Sequence, residues 1–175
     1  MSDSDPQYII KPGEGKKVDI GGLGVDFKVW GKATKDVISI VEHPMEPGRL
    51  TPPHMHHAED ELSYVLQGTF GVRIGDVIAE AGPGCYVFKP RDVPHAFWNP
   101  GPAPARLIEI ITPAGFELFF EALGALSAKA STGAITPEEF EAKRGELAAQ
   151  YHVDFVPDWA DELKARFNLK LLGEP

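Results

Sequence analysis

Three histidines and three acidic residues lie within HMHHAEDEL, residues 54–62, directly after a pair of prolines. In an extended chain, side chains two positions apart point to the same side, so the imidazoles of His54 and His56 converge. Glu61 begins the apolar segment ELSYVL, and a short turn before it could bring its carboxylate to the same point. A further histidine, His95, begins HAFWN after the turn segment PRDVP. Three imidazoles and a carboxylate suit a borderline or hard divalent ion, and an open coordination position would admit water, substrate or dioxygen.

The composition is that of one folded domain that acts on a small molecule. The chain has 175 residues, of which 43% are hydrophobic and 25% charged, which is enough to bury a core. The formal charge is -9 and the sequence pI is near 5.1, and Lys and Arg form no cluster. We therefore expect a small-molecule substrate and no nucleic-acid partner.

The chain also lacks the sequence features of membrane and secreted proteins. No segment approaches the roughly 20 apolar residues of a membrane span, and the first ten residues do not resemble a signal peptide. The single cysteine, Cys85, excludes an internal disulfide and fits a reducing compartment, and its place at a strand start predicts a buried side chain. We expect a cytoplasmic protein without a membrane partner.

Between residues 36 and 111, short segments rich in Val, Ile, Phe and Tyr alternate with Gly and Pro, a pattern typical of strands. The predicted strands are 37–43, 61–66, 69–74, 85–89, 95–99 and 105–111. Such even spacing without intervening helices predicts a sandwich or a barrel. The preceding segment, IGGLGVDFKVWG, is predicted to be turn and strand.

After Thr112 the apolar period lengthens to that of a helix. One helix face would carry Phe116, Phe119, Phe120, Leu123 and Leu126. A second helix is indicated by ITPEEF, with Thr136 as N-cap and Glu139 as its capping-box partner. A third short helix would follow Asp158. We interpret these apolar faces as packing against the barrel, with a lid over the substrate as the alternative.

The two histidine-bearing segments resemble the two signature motifs of the cupin superfamily. In GRLTPPHMHHAEDELSYVLQG the fixed positions of the first motif are filled by Gly48, His54, His56, Glu61 and Gly68. In GCYVFKPRDVPHAFWN those of the second are filled by Gly84, Pro90, His95 and Asn99. Asp92 departs from the pattern, which has glycine there, but it affects a turn and not a ligand. The fifteen residues between Gly68 and Gly84 match the short inter-motif hairpin of one-domain cupins.

The resemblance implies an all-β cupin jelly-roll barrel with a C-terminal helical appendage. Residues 1–112 would form the barrel, including N-terminal strands, and residues 113–175 would form helices packing on it within the same structural domain. By the same resemblance the metal ligands are His54, His56, Glu61 and His95. They would hold one divalent transition metal, which could be Mn, Fe, Ni, Co, Cu or Zn.

The segment TPAGFELFFEALGAL, after the last predicted barrel strand, is similar to bacterial one-domain cupins described as quercetin-dioxygenase-like. This resemblance implies a metal-dependent dioxygenase acting on a flavonol-like or other chelating enol or phenol, in which Glu61 could double as a catalytic base. A cupin isomerase or decarboxylase is the second interpretation, and a non-catalytic small-molecule-binding cupin is the third. Since one-domain cupins commonly pair, we also expect a homodimer.

Alternation along the predicted strands indicates which other side chains face the metal. It places Ser63 and Val65 on the side of Glu61, and Phe97 on the side of His95, so these three should line the substrate pocket. Glu109 could be a second carboxylate in the barrel or a rim residue. Glu59 and Asp60 are interpreted as turn residues, and His57 as a surface or supporting residue. His43 and His152 match no motif position and are interpreted as structural.

Overall fold

The computed structural model describes residues 8–174, which form two sheets around a shared apolar core, with three helices towards the C-terminus. The first sheet has the order β1-β2-β3-β11-β6-β9. Its strands are β1 (Lys17–Asp19), β2 (Gly24–Val29), β3 (Ser39–Met45), β6 (Asp60–Gln67), β9 (Tyr86–Lys89) and β11 (Ala105–Thr112). The prediction of a jelly-roll barrel with a helical appendage is confirmed.

The second sheet carries two of the histidine-bearing segments. Its order is β12-β5-β10-β4-β13, with β7 paired to β10 and β8 paired to β7. The strands are β4 (Arg49–Leu50), β5 (His54–His56), β7 (Phe70–Ile74), β8 (Val77–Ala81), β10 (His95–Trp98), β12 (Val153–Phe155) and β13 (Lys170–Leu171).

Strands β6 and β11 show why polar side chains enter this barrel. Both strands alternate buried and partly exposed residues, as expected of strands with one face on a core. Their antiparallel register pairs Ile111 with Glu61 and Glu109 with Ser63. The inward face of this strand pair therefore carries two carboxylates and a hydroxyl among apolar residues.

The helices are α1 (Glu117–Ser131), α2 (Pro137–Gln150) and α3 (Pro157–Phe167). Phe116, Phe119 and Phe120, at and just inside the start of α1, are buried in the barrel core, as their helical spacing predicted. The predicted capping box of α2 is present, since the Thr136 side chain accepts from the Glu139 backbone and the Glu139 side chain accepts from the Thr136 backbone. None of the helices in the described part of the chain is long and apolar enough to span a membrane.

The C-terminal segment is more than helical, which the sequence did not reveal. Strand β12 pairs with β5, which carries His54 and His56, and β13 pairs with β4. These strands are only three and two residues long, too short to display a period of two. The expectation for Cys85 was also wrong: its side chain is exposed, because the residue lies in the turn before β9.

His57 and Asp92 fasten β12 to the barrel at the surface. Nδ1 of His57 lies 2.6 Å from Oδ1 of Asp92, and Nε2 lies 3.0 Å from Oδ2 of Asp154. Hydrogen bonds to Asp154 and Asp92 raise the pKa of His57, so the protonated ring is favoured there. Asp92 has a φ of 61°, a left-handed conformation that aspartate tolerates better than most residues. This explains how it replaces the glycine of the motif.

Candidate metal centre

The four predicted ligands meet inside the barrel. Each offers one ligand atom, and the four atoms lie within 4.8 Å of one another. The register between β10 and β5 places His95 opposite His54, and Glu61 reaches the same point from β6 in the other sheet. His56, Glu61 and His95 are buried, and His54 is partly buried.

The outer nitrogens of two of these rings fix which nitrogen faces the centre. Nδ1 of His54 lies 2.7 Å from the carbonyl oxygen of Pro52, and Nδ1 of His95 lies 3.1 Å from that of Val93. A carbonyl can only accept, so each Nδ1 carries a proton, and in the neutral form of either ring Nε2 presents a lone pair.

The inward nitrogens have no satisfactory partners of their own. Nε2 of His54 lies 3.1 Å from Nε2 of His56, and Nε2 of His95 is buried without a hydrogen-bond partner in the described part of the chain. Burial lowers the pKa of His54 well below its usual value and that of His56 to about 4, so both rings are neutral, as metal coordination requires. Converging lone pairs beside a carboxylate fit a divalent transition metal ion, and this cluster could hold one.

Glu59 lies in the turn between β5 and β6, as predicted, but its carboxyl group points into the protein beside the cluster. The side chain is buried, and its Oε2 lies 3.7 Å from Nδ1 of His56. Burial and the neighbouring Glu61 raise the pKa of Glu59 to about 7. The two atoms are too far apart for a hydrogen bond, so Glu59 is a buried neighbour of His56 and not its bonded partner. Asp60 has a surface role instead, since it accepts hydrogen bonds from the Arg91 side chain.

A buried lysine joins Glu61 to a second carboxylate. Nζ of Lys89 lies 2.8 Å from Oε2 of Glu61 and 2.6 Å from Oε2 of Glu109. The hydroxyl of Ser63 donates to the Glu109 carboxylate at 3.0 and 3.1 Å. Lys89, Glu61 and Glu109 have side-chain exposures of only 2%, 4% and 1%, so the ion pairs are shielded from water.

This network sets the charges next to the metal site. Burial alone would raise the pKa of Glu61, but Lys89, His56 and His95 outweigh it and hold the pKa well below the usual range. Burial raises the pKa of Glu109 to about 7, although Lys89 opposes that shift. Burial disfavours the ammonium form of Lys89, yet the two carboxylates more than compensate and raise its pKa. Lys89 is therefore a cation that holds Glu61 ionised.

An apolar pocket of about 110 Å³ adjoins the centre. Its polar wall includes His43, His54, Glu61 and Glu109, and its aromatic wall includes Phe97, Phe116, Phe119, Phe120, Phe140 and Phe155. Of the three predicted pocket residues, the structure places Phe97 in the lining.

Ser63 and Val65 face the interior as predicted but do not line the pocket. The Ser63 hydroxyl is turned to Glu109, and Val65 is packed in the apolar core. Alternation therefore predicted correctly that both side chains face the interior. The pocket wall itself is formed by other residues. Glu109, for which the sequence left a rim position open, is instead a buried pocket residue.

Comparison with known proteins agrees with this geometry. Residues 42–111 match the family model of the cupin domain. Over 69 residues the chain is 35% identical to Protein SchB of Streptomyces halstedii, a match that covers 39% of this chain and 50% of that protein. The chain thus spans about half the length of the curated relative that it matches.

Solved structures share the fold. The polyketide cyclase RemF from Streptomyces resistomycificus is 25% identical, with a TM-score of 0.54 over 61% of this chain and 80% of that one. An RmlC-like cupin from Shewanella frigidimarina is 24% identical, with a TM-score of 0.57 over 65% of this chain and 96% of that one. The similarity to the RmlC-like cupin concerns the fold alone.

Proposed function

We propose that this chain, which matches the cupin domain over residues 42–111, is a metal-dependent enzyme that acts on a small chelating enol or phenol, with dioxygenation as the favoured reaction. One observation carries this proposal. Three imidazoles and an ionised carboxylate converge at the wall of an apolar pocket, and two of these groups, those of His54 and Glu61, line that pocket. A ligand in the pocket would therefore meet the metal site directly.

Each of these residues would have a separate role. His54, His56 and His95 would hold the metal, with Glu61 as the fourth ligand. The bound ion would supply Lewis acidity and, if redox-active, a site for oxygen chemistry. Phe97, like the other pocket phenylalanines, excludes water and presents an apolar surface to a flat ring.

The pocket volume supports a small substrate. A cavity of about 150 Å³ lined by apolar side chains is enough for benzene, so a pocket of about 110 Å³ suits a ligand no larger than a single ring. A flavonol is larger than this volume, and Phe119, Phe120 and Phe140 of α1 and α2 form part of the pocket wall. We therefore favour single-ring enols and phenols, and the lid interpretation of the helices applies only to larger substrates.

A redox-neutral reaction is the second candidate. The similarity to RemF, a polyketide cyclase at 25% identity, favours a metal-dependent cyclisation or isomerisation. The same centre would serve, because an ion that polarises an enol can assist proton transfer without oxygen. Decarboxylation would use the same metal site, and so would non-catalytic binding of a small molecule.

Oxygen uptake distinguishes the candidates. Protein reconstituted separately with Mn, Fe, Co, Ni, Cu or Zn should consume oxygen with at least one single-ring enol or phenol, in step with substrate loss. His56→Ala, which removes a ligand, is the matched control and should be inactive. Substrate conversion without oxygen uptake would reject dioxygenation in favour of the redox-neutral reaction. Binding without conversion for every metal would reject the enzyme.

We also propose that the chain forms a homodimer through the outer face of β6 and β9. Strand β9 is at the edge of the first sheet, and Tyr86 and Phe88 on it are 70% and 56% exposed. Tyr64 of β6 lies against Tyr86, with ring centroids 4.7 Å apart. Exposed aromatic rings on an edge strand favour a second copy of the same surface.

Light scattering tests the dimer. The wild type should show twice the chain mass of 19.1 kDa, and Phe88→Glu should show the mass of one chain. Val77→Glu is the matched control, because Val77 is 64% exposed on β8, in the other sheet. A wild type that is monomeric at micromolar concentration would contradict the proposal, as would a Phe88→Glu protein that stays dimeric.

A further inference from the structure

We propose that His43 is a ligand-binding residue whose Nε2 accepts a hydrogen bond from a hydroxyl group of the substrate. This inference deepens the proposed function and rests on it, since it defines the substrate as a neutral ring that carries a hydroxyl group. His43 is not one of the four converging side chains, and its sequence position, outside both motifs, predicted only a structural role.

The position of His43 makes one of its nitrogens available. The residue lies in β3, its side chain is 1% exposed, and it lines the pocket beside the metal site. Nδ1 lies 2.9 Å from the carbonyl oxygen of Gly24, so this nitrogen must carry the proton. Nε2 is then an acceptor, and no hydrogen bond within residues 8–174 engages it.

The surroundings keep this acceptor neutral and in place. The ring of Phe120 meets the imidazole edge-on at 5.2 Å, and the ring of Phe97 lies 6.4 Å away. Burial lowers the pKa of His43 to about 4, an effect that Lys89 strengthens and that Glu61 and Asp26 oppose. At neutral pH the lone pair on Nε2 is therefore free.

The chemistry of the pocket determines which ligand group matches this lone pair. An unpaired acceptor in apolar surroundings is costly to leave unsatisfied, so a ligand that brings a donor gains affinity. A carbonyl or carboxylate oxygen would face the lone pair and be repelled. The buried carboxylates of the pocket already have partners, since Glu61 is paired with Lys89 and Glu109 is bonded to Lys89 and Ser63. A hydroxyl group is the donor that this site selects.

The test compares phenol with toluene, which have nearly the same shape but differ in the hydroxyl group. Calorimetry on metal-loaded protein gives the ratio of the two affinities. His43→Asn keeps an amide close enough to bond to Gly24 but has nothing at the position of Nε2. His43→Gln places an amide oxygen near that position and loses the Gly24 contact. His152→Asn, at an exposed histidine outside the pocket, is the matched control.

We expect His43→Asn to reduce the phenol-to-toluene affinity ratio by about five- to tenfold, the value of one net hydrogen bond. His43→Gln should recover part of the ratio, and His152→Asn should leave it unchanged. Circular dichroism and metal content, both unaltered, would show that the variants are folded and loaded. A structural role alone would give the opposite order, with asparagine tolerated and glutamine not.

An unchanged ratio in His43→Asn would overturn the inference, while turnover of enols by the wild type would leave the proposed function intact. Conversely, a ratio that depends on His43 in a protein that converts no enol or phenol would support the hydroxyl site and reject the enzymatic function. The two failures are thus distinguishable.

Discussion

Replacing Lys89 with methionine is expected to lower the free energy of unfolding by about 3–5 kcal/mol, the cost of breaking a buried ion pair by removing one partner. Lys89 is the cation between Glu61 and Glu109, at 2.8 and 2.6 Å, and all three side chains are shielded from water. Methionine fills a similar volume, so the loss reflects two uncompensated carboxylates and not a cavity. Urea unfolding measures this change in the free energy of unfolding, and a chelator in the buffer prevents a bound metal ion from compensating for the lost lysine.

The free energy of unfolding that Lys89→Met loses relative to the wild type should be smaller at pH 5 than at pH 8. In the wild type the pKa of Glu61 is depressed, so the stabilisation from Glu61 is present at both pH values and is lost only as the pH falls below its unfolded pKa towards the folded one. In Lys89→Met the pKa of each buried carboxylate is raised above its unfolded value, so the folded variant binds protons and is destabilised as the pH rises. Protonation of the buried carboxylates in the variant therefore narrows the difference at pH 5.

Two variants control this measurement. Lys32→Met removes an exposed lysine and should change the free energy of unfolding little. Lys89→Met combined with Glu109→Gln removes one of the two orphaned charges and should recover part of the loss. A Lys89→Met protein as stable as Lys32→Met at pH 8 would show that the lysine is not the counter-ion of these carboxylates.

Replacing His56 with alanine should weaken metal binding by about 100-fold or more, beyond the roughly 10- to 100-fold typical of changes outside the ligand shell. His56 is 1% exposed, and its Nε2 lies 3.1 Å from that of His54, at the meeting point of the ligands. A competitive chelator titration gives the affinity. His152→Ala, at an exposed histidine, is the control and should bind as the wild type does.

Glu61→Gln separates the two roles assigned to Glu61. The three histidines remain, so the variant should retain much of its metal, while loss of the carboxylate should abolish most turnover. The structure makes the base role demanding, because Oε2 of Glu61 is held by Lys89 and the pKa of Glu61 is depressed. A metal-loaded Glu61→Gln protein with near wild-type turnover would reject the base role and leave a structural carboxylate.

The fold and the convergence of His54, His56, Glu61 and His95 could be predicted because their signals are local. The spacing of His54, His56 and Glu61 with two glycines is written in one continuous segment, and the alternation of β6 and β11 gives the buried face directly. The Thr136 capping box is likewise contained in four residues. Such features depend on neighbours along the chain, which a sequence displays.

The buried ion pairs of Lys89 were not predicted, because the burial pattern of β9 is the reverse of that of an ordinary strand. In β9 the aromatic residues Tyr86 and Phe88 face outwards while Lys89 is buried. Lys89 is two residues from the buried Val87 and so shares its face of the strand, but a lone lysine in a sequence is normally solvated. Only the register with β6, which pairs Glu61 with Lys89, supplies its partner. The position of His43 in the pocket wall could not be predicted for a similar reason, since Gly24 and the pocket are contributed by distant segments.

The most direct test of the central claim is elemental analysis of the protein purified without an affinity tag, alongside His56→Ala purified in the same way. The structure predicts one divalent transition metal ion per chain in the wild type, retained through dialysis, and almost none in the variant. A wild-type protein that carries no such metal and takes none up from Mn, Fe, Co, Ni, Cu or Zn, or a His56→Ala protein that holds as much as the wild type, would contradict the account.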